Sequence, residues 1–186
     1  MAQNLETVDW GAIPAPADDG RGAHLTGQPL PSAPLSATDG TSVDLSALAG
    51  LVVLYIYPRT GRPDQDLPEN WDMIPGARGC TPQSCAFRDH YADLKALGVD
   101  HLYGLSTQTT AYQQEAAERL HLPFALLSDE DMTLTRSLNL PTFVADGMTL
   151  LNRMTLILRD GVIEKTFYPV FPPDQNAQDV ADYLAP

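Results

Sequence analysis

The sequence predicts an α/β fold built on a mixed central sheet with helices on both faces. Three observations carry this. The continuous apolar run Leu51 to Tyr57 has the length of a strand covered on both sides. Strand-like and helix-like segments alternate after it. Near the end, Asp160-Gly161 separates two apolar stretches, Met154 to Leu158 and Val162 to Phe167, and is a dipeptide favoured in two-residue hairpin turns.

Taken in order, residues 1 to 33 are rich in Pro, Ala, Gly and Asp, with scattered apolar anchors at Trp10, Ile13 and Leu25. They read as an arm, wrapped on a domain or partly disordered. The boundary falls near Leu30, giving an arm over 1–29 and one domain over 30–186. Thr38-Asp39-Gly40-Thr41 is a turn between short extended pieces. The buried strand at 51–57 stops at Pro58. A helix is expected over Thr81 to Leu97: Thr81 serves as N-cap, Pro82 is tolerated in the first turn, Phe87, Tyr91 and Leu94 recur at helical spacing, and Gly98 ends it. His101 to Ser106 reads as a second buried strand, Thr109 to Leu120 as a helix, and Leu122 to Leu127 as a third strand. Asp129 to Leu138 reads as a short helix, Pro141 to Leu151 as irregular, and Pro173 to Leu184 as the final helix.

At 186 residues and 44% hydrophobic composition the chain suits one soluble domain with its own core. No apolar run is long enough to span a bilayer, and residues 1 to 10 lack a signal-peptide pattern, so a cytoplasmic protein is expected. The formal charge of -13 repels nucleic acid and anionic membranes. Two cysteines in a reducing compartment are more often redox-active or metal-binding than a permanent staple.

Both cysteines lie in Gly79-Cys80-Thr81-Pro82-Gln83-Ser84-Cys85, where a loop gives way to the expected helix. A cysteine at such a junction meets unpaired N–H groups and the positive end of the helix dipole, and both favour thiolate over thiol. Cys80 is thereby placed as a nucleophile, and Cys85, one turn on, is near enough to attack what Cys80 becomes after oxidation. The bland alternatives are two small buried hydrophobes or a metal site. A metal would want Cys-x2-Cys and further ligands, whereas His24, His90, His101 and His121 show no ligand spacing and read as solvated. Arg78 and Arg88 flank the thiols and either add positive potential or are simply solvated. Asp64, Asp66, Glu69 and Asp72 read as a solvated segment anchored by Trp71.

The ordered blocks Leu51–Pro58 (LVVLYIYP), Gly79–Val99 (GCTPQSCAFRDHYADLKALGV), Leu105–Thr109 (LSTQT), Leu122–Asp129 (LPFALLSD) and Asn152–Val170 (NRMTLILRDGVIEKTFYPV) resemble the peroxiredoxins, within them the bacterioferritin-comigratory-protein group. The resemblance implies a thioredoxin-like fold and thiol-dependent reduction of hydroperoxides. It implies Cys80 as the peroxidatic cysteine, Cys85 as the resolving one, and Arg153 as the arginine reaching the thiolate from a neighbouring strand. The chain departs from the family's Pro-x-x-x-Thr/Ser-x-x-Cys loop, since Ala77 stands three before Cys80, Met73 seven before it, and Pro58 lies 22 residues upstream. About 15 residues are inserted against that pattern. Thr60 is the nearest candidate for the missing hydroxyl that would bind substrate. Pro63, Pro68 and Pro75, with Trp71, Met73 and Ile74, make the insertion from Gly61 to Ala77 an expected ordered lid, against the alternative of a solvated loop.

The function expected is that of an atypical two-cysteine peroxiredoxin acting on hydrogen peroxide or organic hydroperoxides. Cys80 forms a sulfenic acid, Cys85 condenses with it, and a thioredoxin- or glutaredoxin-like dithiol restores both. No metal, haem or flavin is required, and a monomer or homodimer is expected. The rivals are a thiol–disulfide oxidoreductase on the same fold, whose usual Cys-x-x-Cys is absent, and a non-catalytic redox sensor.

Overall fold

The computed structural model describes residue 5 and residues 7–186. Its main sheet has seven strands in the order β2-β1-β5-β4-β3-β8-β9. These are β1 (Pro34–Ala37), β2 (Ser42–Asp44), β3 (Leu51–Ile56), β4 (His101–Ser106), β5 (Leu126–Ser128), β8 (Met154–Arg159) and β9 (Val162–Phe167). The strands β3, β4 and β5 run parallel, and every other pairing is antiparallel, so the sheet is mixed. A separate hairpin is formed by β6 (Thr142–Ala145) and β7 (Met148–Leu151). The helices are α1 (Cys80–Asp89), α2 (Tyr91–Ala96), α3 (Thr110–Arg119), α4 (Thr133–Leu138) and α5 (Asn176–Leu184). This is the thioredoxin-like α/β arrangement.

The central strand explains why its sequence is apolar without alternation. All six residues of β3 are buried. Val52, Leu54 and Ile56 point into a core shared with Leu134 and Leu138 of α4. Leu51, Val53 and Tyr55 point into the opposite core, against Phe87 of α1, Leu94 of α2 and Val180 of α5. Side chains of a strand alternate between faces, so burial on both requires an unbroken apolar run.

The arm carries a 3-10 turn at Trp10–Ala12 and no other helix or named strand among its described residues. Leu25 is fully buried in the core beside α4 and β8. Further along, Leu30 N–H donates to Gly161 O at 2.7 Å, and Pro29 bridges Val162. Asp160 and Gly161 both have positive φ, 50° and 78°, as the expected two-residue turn between β8 and β9 requires.

Several expected boundaries shift. The stretch expected as one helix from Thr81 to Leu97 is two, α1 and α2, separated at His90 (φ -90°, ψ 2°). The cap is Gly79 rather than Thr81, and the helix begins at Cys80. The strand expected from Leu122 begins only at Leu126, beyond Pro123, which has no N–H to give a ladder. The helix expected from Asp129 begins at Thr133, because the buried Asp129 carboxylate stays outside it and accepts from the N–H groups of Leu134 (3.0 Å) and Thr135 (2.8 Å). The stretch 141–151, expected as irregular, is the β6–β7 hairpin, turning at Asp146-Gly147 with φ 51° and 72°. The final helix is preceded by a 3-10 turn, Pro173–Gln175.

The inserted segment after β3 is ordered. Trp71 is buried in a small cluster with Ala77, Ala145 and Leu150, and its ring lies 6.3 Å from that of Phe143. The insertion is therefore fastened to the β6–β7 hairpin, while Met73 stays exposed. No helix among the described residues is long and apolar enough to cross a membrane.

Candidate active site

Cys80 is the first residue of α1 because Gly79 can adopt φ 108°, a left-handed conformation that residues with a Cβ rarely take. Space enforces the same choice. A Cβ on Gly79 would lie 2.7 Å from both Trp10 Cη2 and Pro173 Cγ. The residue before the thiol is thus clamped between the arm and the turn that leads into α5. Cys80 itself is buried, 3% exposed, with Sγ 3.7 Å from Ala77 O.

The sheet brings Arg153 to this point. Met154, the first residue of β8, pairs with Ile56, the last of β3. Arg153 therefore stands at the sheet end from which the chain leaves β3 toward Pro58. Its guanidinium is buried and fully employed on one edge. Nη2 donates to Cys80 Sγ at 3.2 Å, to Ala77 O at 3.0 Å and to Arg78 O at 3.2 Å, and Nη1 donates to Gln83 Oε1 at 2.5 Å. Among the described residues no Asp or Glu lies within ion-pair distance of it. A buried cation without a carboxylate is costly, and the anion within reach is the thiolate form of Cys80.

Behind Arg153 runs a buried chain of amides and hydroxyls. Gln83 Nε2 donates to Asn176 Oδ1 at 3.0 Å, and Thr155 Oγ1 donates to the same oxygen at 2.6 Å. This ties α1, the start of α5 and β8 together around the guanidinium. Gln83, Asn176 and Thr155 were not singled out from the sequence. Gln83 lies between the two cysteines on the same helix, which was the one available signal, and nothing in the sequence marks it as buried.

Cys85 lies on α1, half-buried, and both cysteines are reduced thiols. Five positions of helix separate them, about 7.5 Å of rise, with side chains on different faces. Thr60 is fully buried in the loop after β3, where its N–H and its hydroxyl both donate to Gln108 Oε1, at 2.9 and 3.2 Å. Around Cys80 the aromatic wall includes Tyr55 and Tyr57. Burial pushes the pKa of both phenols above the ordinary tyrosine value, so both hold their protons. The hollow beside the thiol is only about 10 Å3, close to the room of one water. It is walled by Leu5 of the arm, Arg59, Leu67 and Trp71 of the insertion, and Arg78.

The flanking charges divide. Arg78 borders this hollow and pairs with Asp72 at 3.5 Å. Arg88 turns to Asp89 and to Leu120 O. Of the histidines, His24 and His121 are exposed, whereas His90 and His101 are half-buried rather than solvated. His90 links α1 to α5 through Ala86 O and Gln178 Oε1, because its ring lies in the seam between those helices. No group of three metal-ligating side chains occurs among the described residues.

A family model, Redoxin, matches residues 25–184. The chain belongs to the Redoxin family. Within the redoxins it is a peroxiredoxin of the bacterioferritin-comigratory type, the thiol-dependent peroxidase class of oxidoreductase, as its relatives indicate. Peroxiredoxin Q, chloroplastic, from Populus jackii is 31% identical over 160 residues, covering 85% of this chain and 67% of that protein. The protein of the same name from Oryza sativa subsp. japonica is 32% identical over 160 residues, with 85% and 65% covered. The chain thus spans about two thirds of the length of the curated relatives it matches. The crystal structure of peroxidoxin BcpB from Mycobacterium tuberculosis superposes with a TM-score of 0.69 at 25% identity, covering 87% of this chain and 97% of that one.

Proposed function

We propose that this redoxin reduces hydrogen peroxide or organic hydroperoxides with Cys80 as nucleophile, Cys85 as resolving thiol and Arg153 as the cationic donor. The observation that carries the proposal is the 3.2 Å contact from Arg153 Nη2 to Cys80 Sγ at a buried helix start, with no carboxylate among the described residues paired to the arginine.

The chemistry then balances in three steps. The Cys80 thiolate attacks one peroxide oxygen, an S–O bond forms as the O–O bond breaks, and the departing alkoxide or hydroxide takes a proton to leave as alcohol or water. Arg153 supplies planar donors that cannot lose their charge to the oxygens on which negative charge grows. The Cys85 thiolate attacks the Cys80 sulfenic sulfur, forming a disulfide and releasing water. An external dithiol of thioredoxin or glutaredoxin type returns two thiols and leaves as its own disulfide. Thr60 is our candidate donor to substrate, and to serve it must turn its hydroxyl away from Gln108. A reducing, cytoplasm-like compartment suits this cycle, and a monomer or homodimer can run it.

A second reading, a redox sensor oxidised once without turnover, draws on a specific feature, the 3% exposure of Cys80 under the arm and insertion. Steady-state hydrogen peroxide consumption coupled to thioredoxin and its reductase decides between them. Sustained turnover lost in Cys80→Ser supports the peroxidase. One equivalent consumed and no more supports the sensor.

A further inference from the structure

β5 is shorter than β4, and the difference leaves a cavity. Only Gly104 to Ser106 of β4 pair with β5, because β5 begins at Leu126, beyond Pro123, which has no N–H to give a ladder. Beside the half of β4 without a β5 partner, His101 to Tyr103, lies a hollow of about 690 Å3, within the size range of small-molecule sites. His101 pairs with Val52 and Leu105 with Ile56, so the hollow sits at the end of the sheet away from Arg153 and Cys80.

Its wall joins rings to carboxylates. Tyr103 of β4, Tyr91 of α2 and Phe124 line it together with Asp39, Asp100 and Glu118, and no lysine or arginine among the described residues does. The rings are neighbours: Tyr91 and Phe124 lie 5.9 Å apart between centroids, and Tyr103 lies 6.1 Å from the ring of His101. The polar ends converge as well. The Tyr103 phenol is pushed up first by burial and then by the Asp39 carboxylate and the Tyr91 phenol, so side chains from the β1–β2 turn, α2 and β4 stand within electrostatic reach of one another. Asp39 keeps its charge, because Thr41 donates to it from both N–H and hydroxyl, at 2.9 and 2.6 Å, and holds its carboxyl below the usual range. Glu118 makes no ion pair among the described residues.

We propose that this cavity binds a small organic cation carrying an alkylated ammonium group. The cation lies against Tyr91, Tyr103 and Phe124, and Asp39 and Glu118 supply the opposite charge. Aromatic rings and carboxylates both attract a cation and neither attracts an anion. An alkylated centre suits the wall better than a metal ion. Asp39 and Asp100 already accept from N–H groups, Asp100 Oδ2 from that of Leu51 at 2.8 Å, and no group of three metal-ligating side chains occurs among the described residues. The wall therefore offers negative potential and apolar surface rather than a converging set of free oxygens. This binding function is separate from peroxide reduction and stands whether or not Cys80 turns over.

Choline is the test ligand, with its uncharged carbon analogue, dimethylbutanol, as the neutral control and sodium chloride for ionic strength. Calorimetry on the full chain should show saturable choline binding, at least about tenfold tighter than that of the analogue. Tyr103→Leu, which keeps bulk and removes the aromatic ring, should weaken choline by at least about fivefold. Asp39→Asn should weaken choline and leave the analogue unaffected. If Tyr103→Leu is unfolded by circular dichroism, Tyr91→Leu takes its place. Absence of saturable binding, equal affinity for choline and its analogue, heats that sodium chloride reproduces, or choline affinity unchanged in the folded ring variant or in Asp39→Asn would overturn the proposal.

Discussion

Arg153 and Gln83 meet at 2.5 Å, Nη1 to Oε1, and through this bond the helix that carries Cys80 fixes the guanidinium that faces the thiol. Arg153 Nη2 donates to the thiol sulfur at 3.2 Å, and a nearby cation favours the charged form of a thiol, so Arg153→Met should slow peroxide reduction and Cys80 alkylation at neutral pH by about tenfold or more. Gln83→Leu should slow both by less and cost about 1–3 kcal/mol of stability, since it strands Arg153 Nη1 and leaves Asn176 Oδ1 with Thr155 as its one remaining donor. Stopped-flow kinetics and denaturant unfolding measure each. Unchanged alkylation in Arg153→Met would remove that residue from the site.

The disulfide between Cys80 and Cys85 requires α1 to unwind at its start. Bridged cysteines have Cα atoms about 4.4–6.8 Å apart, less than the about 7.5 Å rise of five helical positions, and their side chains must also converge. Pro82 makes the change cheap, as it leaves one fewer backbone donor to satisfy and biases Thr81 away from helical angles. Oxidation should lower helicity and speed amide exchange over residues 81–88. Equal circular dichroism and exchange in both redox states would refute the unwinding.

The two thiols should separate under mutation. Cys80→Ser should abolish peroxide reduction. Cys85→Ser should retain one stoichiometric turnover and stop at the sulfenic acid, open to over-oxidation, which mass spectrometry detects. The reverse pattern would exchange their roles.

Trp71 is the anchor of the insertion, 4% exposed, and it walls the hollow beside Cys80. Trp71→Ala should cost about 3–5 kcal/mol and raise the rate with a bulky hydroperoxide relative to hydrogen peroxide. Replacing residues 64–74 by a short Gly/Ser linker should move the same ratio in the same direction. A ratio fixed at the wild-type value in both variants would separate the insertion from substrate access.

The docking of the arm should depend on pH at both ends of the scale. Hydrogen bonds from Arg21 hold the Asp19 carboxyl below its usual value, so this contribution is present above the unfolded carboxyl value and is lost as pH falls through the lower folded one. Tyr168 is pushed up to about 12, first by burial and then by its bond to Asp19. Its contribution is full below the unfolded value near 10 and is lost as pH rises toward about 12. Ultraviolet titration should show several late-ionising tyrosines, buried Tyr55 and Tyr57 among them, and Tyr168→Phe should remove the step near pH 12.

The central strand was legible because burial on two faces leaves a plain mark, seven apolar residues in a row. The β8–β9 turn was legible from Asp160-Gly161, and the β6–β7 turn carries the same kind of signal at Asp146-Gly147, which the nearby Pro141 outweighed. Helix starts were the least legible. They depend on which carboxylate or glycine captures the first N–H groups, as Asp129 and Gly79 do. The pairing of Cys80 with Arg153 came through family resemblance alone, since the 72 residues between them encode no distance and the register of β3 with β8 creates it. Gln83, Asn176 and Thr155 escaped because polar residues in a sequence do not announce that they will be buried together.

Trp10 lies with its ring edge over Gly79 and its indole N–H on Asp174 at 2.8 Å. Because the backbone beneath that ring is the part of α1 that must open when the thiols join, the indole cannot keep its surroundings through a catalytic cycle. Its fluorescence would follow each oxidation and each reduction as it happens, so the protein carries its own optical gauge of redox state, with no dye to attach.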